Sequence, residues 1–182
     1  PYVPPEMRED RGEVEAALEG RLPKLVQRSD VKGDLHVHST YSDGRSTIKQ
    51  IAEYAGSLGY EYVAICDHSK SVKYARGLNE DRLGKQMEEI ERLNEELEGA
   101  RILKGVEVDI TGDGHLDLDE KLLEELDLVV ASIHMGFKKD VTKRLVGAVE
   151  NRCVDIIAHP TGRLISKREG YEVDIEKVME KA

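Results

Sequence analysis

Residues 33–44 read GDLHVHSTYSDG, and this short stretch joins the fold to its chemistry. Leu35 and Val37 alternate with His36 and His38, a period of two that places both imidazoles on one side of a strand. Asp43 follows on a polar, glycine-containing stretch that reads as the loop after that strand. A lone His-x-His says little. Its meaning depends on where the other four of the six histidines fall.

Four further apolar runs end in the same way. They are AICDHS (64–69), KGVEVDI (104–110), ASIHMG (131–136) and IIAHPTG (156–162), carrying Asp67 and His68, Glu107, His134 and His159. Helical patterns separate them. In STIKQIAEYAGSLG (46–59), Ile48, Ile51, Ala52, Ala55 and Leu58 share a face, with Ser46 as the expected N-cap and Gly59 as the stop. A charged helix over 79–99 carries Leu83, Met87, Ile90 and Leu97, and shorter helices are expected at 119–127, 140–152 and from Asp174. Nearly continuous apolar strands alternating with amphipathic helices imply an α/β fold with a parallel sheet. The periodicity predicts five strands and leaves open whether they form a doubly wound sheet or an incomplete barrel.

In either architecture the C-terminal ends of parallel strands share one face, and that face carries the site. One histidine after an apolar strand is ordinarily a structural residue. Five histidines and a glutamate on one rim are another matter, because crowded imidazoles and carboxylates need a compensating cation. Neutral imidazole and carboxylate oxygen are the usual ligands of Zn, Mn and Fe, so two or three divalent ions are expected here, with Glu107 as a bridging carboxylate. The sixth histidine, His115, lies in the Gly- and Asp-rich stretch TGDGHLDL and reads as an exposed turn. No serine or cysteine nucleophile stands beside a base, so metal-assisted hydrolysis of phosphate esters is the expected chemistry. Glu107 and Asp43 are the candidate catalytic carboxylates. Arg163 (HPTGRL) and Lys70 (DHSKS) are candidates to hold phosphate oxygens, with plain solvated charge as the alternative reading.

The chain has 182 residues, enough for one well-buried core. Its formal charge of −10 is the reverse of the basic balance usual in a nonspecific nucleic-acid binder, so a nucleic-acid substrate would need metal ions, local basic residues or another domain. The apolar runs are too short to span a membrane, and no secretory leader pattern opens the chain. Cys66 and Cys153 lie inside apolar runs, as buried reduced residues of a cytoplasmic protein would. Residues 1–30 read as a proline-anchored linker with a short helix over 13–19, and 31–182 as the domain itself. Both ends look cut, so a piece of something larger is expected.

The motifs DLHVHSTYSDG, DHS, GVEVDI, ASIH and AHPTGR, in this order, resemble those of the PHP (polymerase and histidinol phosphatase) superfamily over roughly residues 30–165. The preceding segment PPEMREDRGEVEAALEGRLPKLV and the HPTGRLI variant narrow this further, and resemble the C-terminal PHP domain of bacterial and archaeal family X DNA polymerases. The resemblance implies a distorted (β/α)7 barrel around three metal ions. It assigns His36, His38 and Glu107 to one ion, Glu107, His134 and His159 to a second, and Asp43 with His68 to a third, while Asp67 orients His68 or caps the loop. It further implies a manganese-dependent 3′-5′ exonuclease acting on DNA 3′ ends, with a polymerase domain on its N-terminal side. The family pattern continues through two more strands and a final Asp-x-His pair not found in this chain. A barrel shortened to about five βα units is therefore expected, with an open strand edge that invites dimerisation. The competing readings are a phosphomonoesterase of the histidinol-phosphatase type and a non-catalytic structural module of a polymerase.

Overall fold

The apolar runs form five parallel strands in a computed structural model that describes all residues 1–182. These are β1 (Gly33–Val37), β2 (Tyr62–Ile65), β3 (Arg101–Asp109), β4 (Leu128–Ser132) and β5 (Ile156–Ile157). They lie side by side in chain order, and every pairing is parallel. A doubly wound sheet needs a point where strand order reverses, and this sheet has none. Right-handed crossovers between successive strands then place every connecting helix on the same face, and the sheet curls as a half-barrel. The alternative left open by periodicity is decided for barrel-type winding.

The connecting helices are α2 (Ile48–Ser57), α3 (Glu80–Glu96), α4 (Glu120–Leu123) and α5 (Val141–Val149), and α6 (Ile175–Met179) follows β5. Thr47, not Ser46, caps α2: its side chain accepts from the Gln50 amide while Gln50 Oε1 accepts from the Thr47 amide. Gln at the third helical position can return the bond to Thr47, whereas Lys49, in that position relative to Ser46, cannot. Asn79 caps α3, which stops before Gly99 because Asn94 turns to pair with both backbone groups of Ile102 on β3.

The two faces of the sheet pack differently. On the outer face Val63, Ile65 and Ile102 meet Ile48, Ala52 and Ala55 of α2 and Ile90 and Leu93 of α3. Further along, Val106, Val108, Val129 and Ala131 meet Leu83, Met87, Leu145 and Ala148. The inner face holds a smaller cluster of Ala64, Cys66, Leu128 and Val130, with Leu103, Ile156 and Ala158 against it. Alternation along β3 puts Leu103, Gly105, Glu107 and Asp109 on that inner face, so an apolar floor leads directly to two carboxylates at the strand's C-terminal end.

Residues Pro1–Val31 make a separate compact unit. It contains α1 (Glu13–Leu18), whose Glu13 carboxylate accepts from the amides of Glu9, Asp10 and Arg11. Lys32–Ala182 make the other. Both cysteines are buried and unpaired, and burial pushes the Cys66 thiol well above its usual range. His115 is exposed in a turn. No helix is long and apolar enough to cross a membrane.

Candidate metal centre

Each strand end delivers its side chain to one place. Glu107, 2% exposed, is the centre. Its Oε2 lies 3.4 Å from His36 Nε2, 3.3 Å from His38 Nε2 and 2.8 Å from His68 Nδ1. Its Oε1 lies 3.5 Å from His134 Nε2 and 3.1 Å from His159 Nε2. The five imidazoles form a continuous arc, with neighbouring ring centroids 4.4–5.2 Å apart. His159 closes the arc from a backbone with φ of +32°, an uncommon conformation for a residue other than glycine, in the tight HPTG turn.

Asp43 reaches the arc because its loop is clamped from below. Fully buried Asp67 accepts from the amides of Ser39 (2.8 Å) and Ser42 (3.2 Å), from both serine hydroxyls, and from Gln86 Nε2 (2.6 Å). Arg76 and Arg82 donate to the carbonyls of Ser42 and Tyr41 on the same loop. Asp67 therefore caps the loop. The loop so held sets Asp43 Oδ1 2.9 Å from His38 Nδ1 and Oδ2 3.7 Å from His68 Nε2.

Hydrogen bonding on the outer side of the arc decides which nitrogens face inward with a lone pair. His134 Nδ1 is 3.0 Å from Ser132 Oγ and 3.2 Å from Asp109 Oδ1, so the proton belongs on Nδ1 and the Nε2 lone pair faces Glu107. His38 Nδ1 faces Asp43 in the same way. Lone pairs aimed at a buried carboxylate repel it unless a cation lies between them. His68 Nδ1 is buried close to Glu107 but outside hydrogen-bond geometry and has no partner, and buried Asp109 Oδ2 also has none. This is the donor set and the unmet demand that divalent ions satisfy.

Charge within the cluster also shifts the titration of its own members. Burial alone would lower the His38 pKa, but hydrogen bonds and charge from Glu107 and Asp43 outweigh it and push it up to about 9. Burial would likewise raise Glu107, yet the surrounding imidazoles, His159 and His36 foremost, hold its carboxyl far below the usual range. Asp43 is also lowered: burial opposes, and the contact with His38 prevails.

The donor atoms gather into three overlapping groups: His36, His38 and Glu107; His38, Asp43 and His68; and His68, Glu107 and His134. The first matches the grouping that the resemblance implies. In the others His38 joins Asp43 and His68, and His68 rather than His159 completes the group around Glu107 and His134. Arg163 is exposed at the edge of a cleft beside His134 and His159 and makes no hydrogen bond or ion pair. Lys70 is ion-paired with Glu80. Two residues with a clear part in this geometry were not singled out from sequence, Asp109 and Ser132. The signal for Asp109 was its spacing of two from Glu107 on one strand, which puts both on the same face. Buried Arg144 adds support from α5, donating to the carbonyls of Met135 and Gly136, just after His134, and of Ile110, just after Asp109.

A family model of the PHP domain matches residues 34–165, a span from the first strand to Ile165 that includes Arg163. The chain belongs to the PHP domain family. Its sequence is 50% identical, over the whole chain, to the DNA polymerase/3′-5′ exonuclease PolX of Bacillus subtilis (strain 168), of which it covers 32%. A probable phosphatase of Thermoanaerobacter sp. (strain X514) is 37% identical over 80% of the chain and 58% of that protein. Another from Syntrophotalea carbinolica is 34% identical over 82% of the chain and 60% of that protein. The PHP chain thus spans about a third of the polymerase and rather more than half of the phosphatases. All five imidazole-bearing positions and Glu107 lie inside the matched span.

Proposed function

We propose that this PHP chain is a metal-dependent phosphoesterase that removes nucleotides from DNA 3′ ends, as the nuclease portion of a DNA polymerase. The observation that carries the reading is the arc of five imidazoles around one buried carboxylate, with Asp43 at its solvent edge. Two or three divalent ions (Mn, Zn or Fe) would be held by His36, His38 and Glu107, by Glu107, His134 and His159 with His68, and by Asp43 with His68. Such ions, when bound, polarise phosphoryl oxygens and lower the pKa of water. Glu107 joins the sites from the centre. Asp43, half-exposed beside His38 and His68, is the carboxylate of the cluster open to solvent and would help to hold an ion and orient the water it activates. Arg163 has its whole guanidinium free for a phosphate oxygen. Lys70 could join it only by exchanging Glu80 for phosphate.

The Bacillus relative is named a DNA polymerase and 3′-5′ exonuclease, which supports DNA 3′ ends as the substrate, and the chain covers only 32% of it, which supports a polymerase domain, N-terminal in the parent protein, as the partner. The buried free cysteines agree with a cytoplasmic setting. β5, at one edge of the sheet, offers unpaired backbone through which two copies could dimerise.

A second reading, a phosphomonoesterase, draws on the relatives named as probable phosphatases. Incubating the chain with a 5′-labelled single-stranded oligonucleotide and manganese, beside p-nitrophenyl phosphate, separates the two. A ladder of shortened DNA that is lost with EDTA and in Glu107→Ala is the expected result. Turnover of the monoester with intact DNA would favour the phosphatase. Unchanged metal content in the combined Glu107→Ala and His134→Ala variant would sink the metal centre and leave a structural module.

A further inference from the structure

Beside the His134–His159 end of the arc lies a cleft of about 260 Å³, lined by Tyr74, Phe137, Leu164, Arg163 and Arg168 as well as the two histidines. It is just below the usual size of small-ligand sites, room for one nucleoside and not for a duplex. Tyr74 is 74% exposed, and its hydroxyl makes no hydrogen bond. It stands on a short 3-10 turn, Lys73–Ala75, whose flanking Val72 and Ala75 are buried, so the ring projects from a fixed base. Leu164 is also largely exposed.

Across the cleft Arg168 is already in position. Its guanidinium lies 4.4 Å over the Phe137 ring, and that ring stacks on Tyr171. Nε and Nη2 donate to the Gly162 carbonyl at 3.0 and 2.7 Å, which leaves Nη1 unused. Arg163 and Arg168 put two cationic side chains on the wall of this cleft, in a protein of formal charge −10.

A bare phosphate would need the arginines alone, and the exposed ring of Tyr74 and the Leu164 side chain would have no part to play. A ligand with both a phosphate and a flat apolar ring uses every feature of the cleft. We propose that the cleft is a nucleobase subsite, in which Tyr74 stacks on the terminal base of the strand while Arg163 and Arg168 hold its phosphates. This rests on the phosphoesterase reading and extends it. Every base has a π-face, so such a subsite is tolerant of sequence, and it requires an unpaired terminal base.

Calorimetric titration of the manganese-loaded chain with thymidine 5′-monophosphate and with 1,2-dideoxyribose 5-phosphate, which carries hydrogen in place of the base, tests this. The nucleotide should bind at least about fivefold more tightly, as one stacked base contributes. Tyr74→Ala should erase the difference, Tyr74→Phe should keep it, and Arg163→Met should weaken both ligands alike. Equal affinities in the unmodified chain, or a difference that survives Tyr74→Ala, would overturn the subsite and leave the phosphoesterase reading standing. Binding of neither ligand would overturn both.

Discussion

Asp109→Asn should weaken divalent-metal binding by about 10- to 100-fold while the domain stays folded. Asp109 Oδ1 accepts the His134 amide at 2.9 Å and lies 3.2 Å from His134 Nδ1, so it sets both the backbone and the ring that presents Nε2 to Glu107. Asparagine has the same shape, and its carbonyl can keep both contacts. It has no charge, however, and an imidazole bonded to a neutral acceptor is a poorer ligand than one bonded to a carboxylate. The loss of roughly 10- to 100-fold corresponds to about 1.4–2.7 kcal/mol. The new amide nitrogen falls where Oδ2 now has no partner, adding a buried unpaired donor at about 1–3 kcal/mol, partly offset because a buried charge is removed. Zinc or manganese titration against a chelating dye measures the first effect, and a thermal melt in EDTA measures the second. Wild-type metal affinity in Asp109→Asn would refute the positioning role. So would a loss of affinity explained wholly by unfolding in EDTA.

Removing metal should lower the melting temperature by roughly 5–10 °C, since saturation at 100 times Kd contributes about 2.7 kcal/mol; an unchanged melt after chelation would count against bound metal. In the metal-free protein His38 is raised from 6.5 to about 9, so its stabilising charge is fully present below pH 6.5 and fades as pH rises through 9. Melts of the chelated protein should therefore fall between pH 6.5 and 9.5, a window in which the carboxylates stay ionised, and His38→Gln should flatten that fall. Gly105→Ala should cost about 1–3 kcal/mol by overpacking. Its Cβ would sit 2.7 Å from Cys66 Sγ and 2.9 Å from the Ile65 carbonyl. Cys66→Ala in the same chain should restore part of the stability in denaturant titrations, because it removes the first contact and not the second.

The parts of this protein legible in its sequence are those set by near neighbours. Alternation in GDLHVHS and KGVEVDI shows which side chains share a strand face, and helical spacing in 46–59 shows which face of α2 is apolar. The repeated placement of His or Glu after each apolar run was enough to bring His36, His38, His68, Glu107, His134 and His159 to one rim in expectation, and the structure brings them together there. Small errors arose where two local solutions compete, as at Ser46 and Thr47, and were resolved by which residue has a partner able to return the bond. What the tertiary structure alone decided depends on distances between segments far apart in the chain. Strand order chose the curled sheet over the doubly wound one. Pairing of Glu107 with Val130, and of its neighbours along β3 and β4, put Asp109 behind His134. The curl of the sheet brought Tyr74, from the turn after β2, to the same cleft as Arg163 and Arg168, which follow β5. Periodicity can say which way a side chain faces, but the convergence of lone pairs on one carboxylate depends on how strands separated by tens of residues are set against one another.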